Sequence, residues 1–401
     1  MRTFHTASDD EIRRGETTDI YFVRTKEVLE AKGLDKKEVV AEVTTSGFPG
    51  SWPWGILCGV EETLKLLAGL PINVYSMPEG SAFFRTDMRG VREPVMMIEG
   101  AYGPFCVYET PMLGLLCQTS GVATMAARIR KIVDDKLIIA FGCRRMHPAL
   151  APVLDRASYI GGFDTVSTVA GAKLIDVPPM GTMPHALMIM FGDQVKAWKA
   201  FDEVVAPNVP RVALTDTFFD EKAEVLMAAE ALGHRLYGVR LDTPGSRRGN
   251  FPEIIREIRW ELDIRGYKSV KIFASGGLDD RNIKAICDAG VDGFGVGTSV
   301  SNAPTIDLGL DIVEVEGLPR AKRGKLGGKK QVWRCQRCME DLVQLFDKPA
   351  PKCPKCGSRM EPLLREVINK GKVVGEMLKP QQIREFVLRQ LDRLSLEEGI
   401  L

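Results

Sequence analysis

The chain has 401 residues, 45% of them hydrophobic and 27% charged, which is room for two or three domains, or one barrel with attachments, around a sizeable core. Lys+Arg of 54 against Asp+Glu of 53 leaves a formal net charge of +1, so no bulk basic field marks nucleic acid as the main partner. The opening MRTFHTASDDEIRRG has no apolar signal region, and the most apolar central stretch, Val107 to Ala127, is interrupted by Gly114, Gln118, Gly121 and Thr124; neither secretion nor a membrane span is expected.

In chain order, residues 1–115 mix strand-like runs (Val39 to Thr45, Ile72 to Met77, Val95 to Gly100) with a helical pattern from Ile56 to Leu70, which predicts an N-terminal α+β sandwich domain. A long helical pattern follows, from about Phe105 to Val133. Residues 116–305 then read as β/α units. The strand-like runs LIIAFGC, VALTD, LYGVRLD, VKIFASGG and GFGVG are short, apolar and unalternating, as strands covered on both faces are. Their ends carry Arg144, Asp216, Asp242, Ser275 to Gly277 and Gly295 to Thr298, where a parallel barrel has its active-site mouth. Clear units number fewer than eight, so the fold class predicted is α/β with an irregular or incomplete (β/α) barrel, a full barrel being the equal alternative. Residues 306–401 form a basic C-terminal extension with a ribbon at about 332–360 and a closing helix, Gln381 to Leu396.

Nine cysteines are present. Cys58, Cys106, Cys117, Cys143 and Cys287 are scattered in core-like contexts and read as reduced thiols, which fits a reducing cytoplasm. Cys335, Cys338, Cys353 and Cys356 differ. They form two CxxC pairs with fourteen residues between, and four thiolates turned to one point give the closed tetrahedral set of structural Zn²⁺. The adjoining run Arg320 to Lys330 raises a reading of another class, a nucleic-acid or protein docking module.

The clearest anion signal is VKIFASGGLDDRNIKAICDAGVDGFGVGTSV. Ser275, Gly276 and Gly277 let backbone approach a phosphate ahead of a helix, and Gly295, Gly297 and Thr298 repeat the arrangement after the next strand. Arg240 offers a fork for phosphate or carboxylate oxygens, while Asp216 and Asp242 suit ribose hydroxyls or a Mg²⁺ carried by pyrophosphate. His185, in PPMGTMPHALM, is a candidate nucleophile toward phosphorus; His5, His147 and His234 read as structural.

Eight short motifs in order resemble the nicotinate phosphoribosyltransferase family: Thr18-Asp19-Ile20-Tyr21, Phe141-Gly142-Cys143-Arg144, Gly162-Phe163-Asp164-Thr165, Gly181-Thr182-Met183-Pro184-His185, Thr215-Asp216, Arg240-Leu241-Asp242, Ser275-Gly276-Gly277 and Gly295-Val296-Gly297-Thr298. Pro184 stands where the family usually has Ala. The resemblance implies transfer of a phosphoribosyl group from phosphoribosyl pyrophosphate (PRPP) to nicotinate with Mg²⁺, assisted by ATP through phosphorylation of His185. It implies that Tyr21 enters a neighbouring subunit of a homodimer and stacks opposite Phe141 on the pyridine ring, with Asp164 and Thr182 along the ring's substituent side. Arg144, Arg240 and the two glycine turns would hold phosphates, with Asp216 and Asp242 near the ribose and metal. Quinolinate and nicotinamide phosphoribosyltransferases are the nearest alternatives. The run Cys143-Arg-Arg-Met-His-Pro-Ala-Leu corresponds only loosely to the quinolinate enzymes' segment, whose Lys and following Arg are missing here.

Overall fold

A computed structural model describes residues 3–397. The chain divides into two compact units, Met1–Thr124 with Pro304–Leu401, and Met125–Ala303.

The first unit is built on a seven-stranded antiparallel sheet. Its order is Leu318–Pro319, Leu308–Val315, Glu38–Thr45, Pro94–Ala101, Ile72–Ser76, Arg365–Asn369 and Lys372–Val373. Where the sequence suggests three consecutive domains, C-terminal strands instead complete this first sheet. The reason is edge pairing: Glu38–Thr45 is buried from Val39 onward, and a strand so covered needs ladder partners on both sides, supplied by Pro94–Ala101 and Leu308–Val315. A three-stranded ribbon (Asp341–Leu345, Lys330–Arg334, Glu361–Pro362) and the helix Pro380–Leu391 belong to the same unit.

The second unit holds an open six-stranded parallel sheet in the order Thr165–Val166, Leu137–Ala140, Gly293–Val296, Lys271–Ser275, Leu236–Leu241, Arg211–Leu214. Every neighbouring pair is parallel. Among the described residues no ladder joins Thr165–Val166 to Arg211–Leu214, so the barrel is incomplete. Ile138, Ala213, Ile272, Phe294 and Val239 are buried, as expected for strands with helices such as Ala151–Ile160, Glu221–Leu232 and Phe251–Ile264 between them. The helix Glu109–Val133 carries the chain from one unit into the other. Among the described residues no helix is long and apolar enough to cross a membrane.

Candidate active site

The C-terminal ends of the parallel strands deliver most of the sequence-predicted residues to one cleft of about 600 Å³. Leu137–Ala140 runs out into Phe141 and Arg144, Leu236–Leu241 ends beside Asp242, Lys271–Ser275 leads into Gly276 and Gly277, and Gly293–Val296 into Gly297 and Thr298. The loop Thr182 to Ala186 forms a further wall and places His185 at the start of the helix His185–Phe191. A parallel sheet does this because all its strands end on the same side.

His185 is half-exposed and points Nε2 at the buried carboxylate of Asp216, 3.1 Å away; the other oxygen of Asp216 accepts from the Asp242 backbone N–H at 3.2 Å. Burial pushes the Asp216 carboxyl above the usual aspartate range, and His185 opposes that rise. Asp242 accepts the Ser275 hydroxyl on Oδ1 at 2.7 Å, while its Oδ2 lies 3.7 Å from Arg240 and 4.0 Å from His185 Nδ1. Arg240 is nearly buried. It donates to the Met183 carbonyl at 3.0 Å and the Ser275 hydroxyl at 3.3 Å, and its guanidinium carbon stands 5.9 Å from the centre of the Phe141 ring. Its Nε has no hydrogen-bond partner within the protein, an orphan donor at the cleft wall.

Phe141 owes its place to a glycine. A Cβ on Gly295 would come within 2.3 Å of the Phe141 ring, so only glycine lets the ring lie against this strand. Behind Phe141 is a smaller recess of about 50 Å³, walled by Ile139, Met180, Val212, Tyr237 and Phe273 and reached by Thr182 and Arg240.

Two expected residues lie elsewhere. Asp164 is not in the cleft: its carboxylate accepts from the Ile138 backbone N–H at 2.8 Å and pairs with Arg130, at the opening end of the strand Leu137–Ala140. Asp292 does the same for Ile272 at 2.9 Å, so both aspartates satisfy a backbone N–H near the start of a parallel strand. Tyr21 belongs to the first unit, exposed in the first turn of the helix Ile20–Ala31. The basic run also reads differently in structure. Lys322 and Lys325 pair with Asp311, Lys329 with Glu99, and Lys330 with buried Glu42, so these four lysines are engaged within their own unit.

Sequence reasoning missed several contributors. Arg145 and Thr168 line the cleft. Buried Asp155 accepts from the Cys143 thiol at 3.0 Å and from the Thr168 hydroxyl, tying two cleft loops together. Buried Glu224 accepts from the backbone N–H groups of Thr217, Phe218 and Phe219 at 3.0, 2.6 and 2.9 Å and so fixes the loop that follows Asp216. No local motif marks these residues; the one available signal was an acid within an otherwise apolar helical pattern.

In the first unit, the four sulfurs of Cys335, Cys338, Cys353 and Cys356 all lie within 4.8 Å of one another, a cluster able to hold a metal ion. Among the described residues no disulfide joins any of the nine cysteines.

An open parallel sheet whose strand ends gather arginine, carboxylate and glycine-turn groups around one cleft defines the pyridine phosphoribosyltransferase class. The family described as quinolinate phosphoribosyl transferase, C-terminal domain, matches residues 122–311, and its N-terminal domain matches residues 19–120. The crystal structure of nicotinate-nucleotide pyrophosphorylase from Pyrococcus furiosus is 54% identical, covers 98% of this chain and 99% of its own, and superposes with a TM-score of 0.94. A nicotinate phosphoribosyltransferase of Mycobacterium tuberculosis is 26% identical over 98% of this chain and 94% of its own. Human nicotinic acid phosphoribosyltransferase, at 21% identity, shares the fold with a TM-score of 0.73 over 95% of this chain and 96% of its own. The chain belongs to the nicotinate phosphoribosyltransferase family.

Proposed function

We propose that this enzyme forms nicotinate mononucleotide and pyrophosphate from nicotinate and PRPP, in NAD biosynthesis, with ATP coupling through His185. One observation carries the reading: Phe141, His185, Arg240, Asp242 and both glycine turns wall a single cleft. In the reaction the C1–O bond to pyrophosphate breaks, C1 of the ribose becomes cationic, and the ring nitrogen forms the new N–C1 bond. Arg240 and Arg144 offset the charge on the departing pyrophosphate, the glycine turns offer it backbone N–H groups, and Asp242 stabilises the cationic ribose. Phe141 gives the flat ring an apolar face, and Thr182 lines the recess beside it.

For ATP coupling, the geometry around His185 favours one nitrogen. Donation of Nε2–H to Asp216 leaves the lone pair on Nδ1. That nitrogen attacks the γ-phosphorus of ATP, the P–O bond to ADP breaks, and the phosphohistidine later yields its phosphoryl group to water. Pro184 precedes the helix as its N-cap in extended conformation, so it leaves His185 in place. Both oxygens of Asp216 are already engaged, which leaves Oδ2 of Asp242 as the oxygen suited to a hydrated cation. Mg²⁺ held there with pyrophosphate would supply further neutralisation of the leaving group.

The four-thiol cluster suits structural Zn²⁺. A tetrahedron of thiolates puts sulfurs about 3.8 Å apart, and Cys335 and Cys356 stand 3.5 Å apart here. Exposed Tyr21, beside exposed Ile20, supports a homodimer in which it completes the partner's cleft.

A second reading, quinolinate as substrate, is favoured by the family description matched; against it, the segment after Phe141 lacks the lysine and following arginine of those enzymes. The test is product analysis with Mg²⁺ and PRPP, offering nicotinate, quinolinate or nicotinamide, each with and without ATP. Nicotinate mononucleotide from nicotinate, stimulated by ATP, is expected. His185→Ala should lose the stimulation and keep slow transfer. Turnover of quinolinate alone, or full ATP stimulation in the variant, contradicts the reading.

A further inference from the structure

Arg248 lies in the loop after the strand Leu236–Leu241, outside every motif discussed above. Its guanidinium is turned to backbone: Nε donates to the Thr243 carbonyl at 2.9 Å, and Nη2 to the carbonyls of Ser275 at 2.8 Å and Gly276 at 2.6 Å. Its flat face sits 4.3 Å from the centre of the ring of buried Phe251, which holds the fork in one orientation.

Two consecutive carbonyls drawn to one cation have a geometric consequence. In a trans peptide the C=O and N–H point in opposite directions. The Ser275 carbonyl shares its peptide with the Gly276 N–H, and the Gly276 carbonyl with the Gly277 N–H. Holding both carbonyls on the Arg248 side turns both N–H groups the other way, in a turn that lines the cleft. The turn needs positive φ at Gly276 (82°) and Gly277 (63°), and a Cβ on Gly276 would come 3.1 Å from both Arg248 Nη2 and Asp242 Oδ1. Successive N–H groups presented this way form a concave anion seat.

We propose that Arg248 is a positioning residue that presets the Gly276 and Gly277 N–H groups for a phosphate or pyrophosphate group, without touching that group itself. The inference rests on the cleft being the phosphoribosyl site. It predicts a one-sided defect, because the nicotinate ring uses other walls.

The experiment compares wild type, Arg248→Met, Arg248→Lys and Arg248→Ala as full chains. Binding of inorganic pyrophosphate with Mg²⁺ is measured by calorimetry, and KM for each substrate by steady-state kinetics. With charge-assisted hydrogen bonds lost, Kd for pyrophosphate and KM for PRPP should rise about tenfold or more, while KM for nicotinate moves less than about twofold. Lysine, a point charge without the fork, should fail to restore binding, and added guanidinium ion should partly rescue Arg248→Ala. Unchanged pyrophosphate affinity in Arg248→Met overturns the proposal, as does an equal loss for both substrates without rescue. Wild type that binds pyrophosphate but transfers nothing to nicotinate would sink the functional reading and leave the role of Arg248 standing.

Discussion

The cleft and the cysteine ribbon are built on opposite principles. The ribbon draws its four sulfurs from 22 consecutive positions, Cys335 to Cys356, each pair presented by its own tight turn. The cleft draws on residues from Phe141 to Thr298, brought together because parallel strands separated by helices end on one side. A local site depends on spacing and on its ligand. A distributed site depends on the sheet that aligns its strand ends, and on buried polar residues that fix the connecting loops. The two should therefore fail differently when perturbed.

The largest effect is expected at the ribbon. Structural zinc is bound in such elements with on the order of 10 kcal/mol, so Cys335→Ser, or prolonged chelation, should remove the metal and expose residues 330–362 to protease. Metal analysis with limited proteolysis checks this; a protease-resistant, metal-free ribbon would remove the distinction between the two sites. Next comes Arg240→Ala. Loss of a preorganised charge on the leaving group costs about a thousandfold in kcat/KM for PRPP, with circular dichroism unchanged, since other strands still align the cleft. A drop below tenfold in kinetic assays would show that Arg240 only shapes the wall.

The smallest effect, and the sharpest test of electrostatics, is Asp216→Asn. The folded-state carboxyl is raised by burial, so its ionised form opposes folding: stability is greatest below the ordinary aspartate pKa and falls as pH rises through the raised value. The amide variant should melt a few degrees higher at pH 8, and the gap should close on acidification. A lower melting temperature at every pH would mean the hydrogen bond to His185 outweighs the burial of charge.

Much of this was legible in the sequence, for reasons that differ by element. Apolar, unalternating runs ending in glycine or charge announced parallel strands and their C-terminal ends, which is why Asp242, Ser275 and Gly297 could be placed on one side of the sheet. Asp164 misled because an aspartate after a glycine turn looks alike at either end of a strand, and only register shows that it serves the Ile138 N–H. The union of Leu308–Val315 and Arg365–Asn369 with the first sheet was hidden, since antiparallel pairing over more than 200 residues leaves no local trace. Arg248, Asp155 and Glu224 act on backbone or on neighbouring side chains, and only coordinates show what a charged group holds.

The most direct measurement is a crystal structure grown with nicotinate, Mg²⁺ and pyrophosphate. The ring is expected against Phe141 and the anion on the backbone of Ser275 to Gly277 or Gly297 to Thr298, within reach of Arg240. Ligands bound away from these strand ends, with the cleft left to solvent, would contradict it.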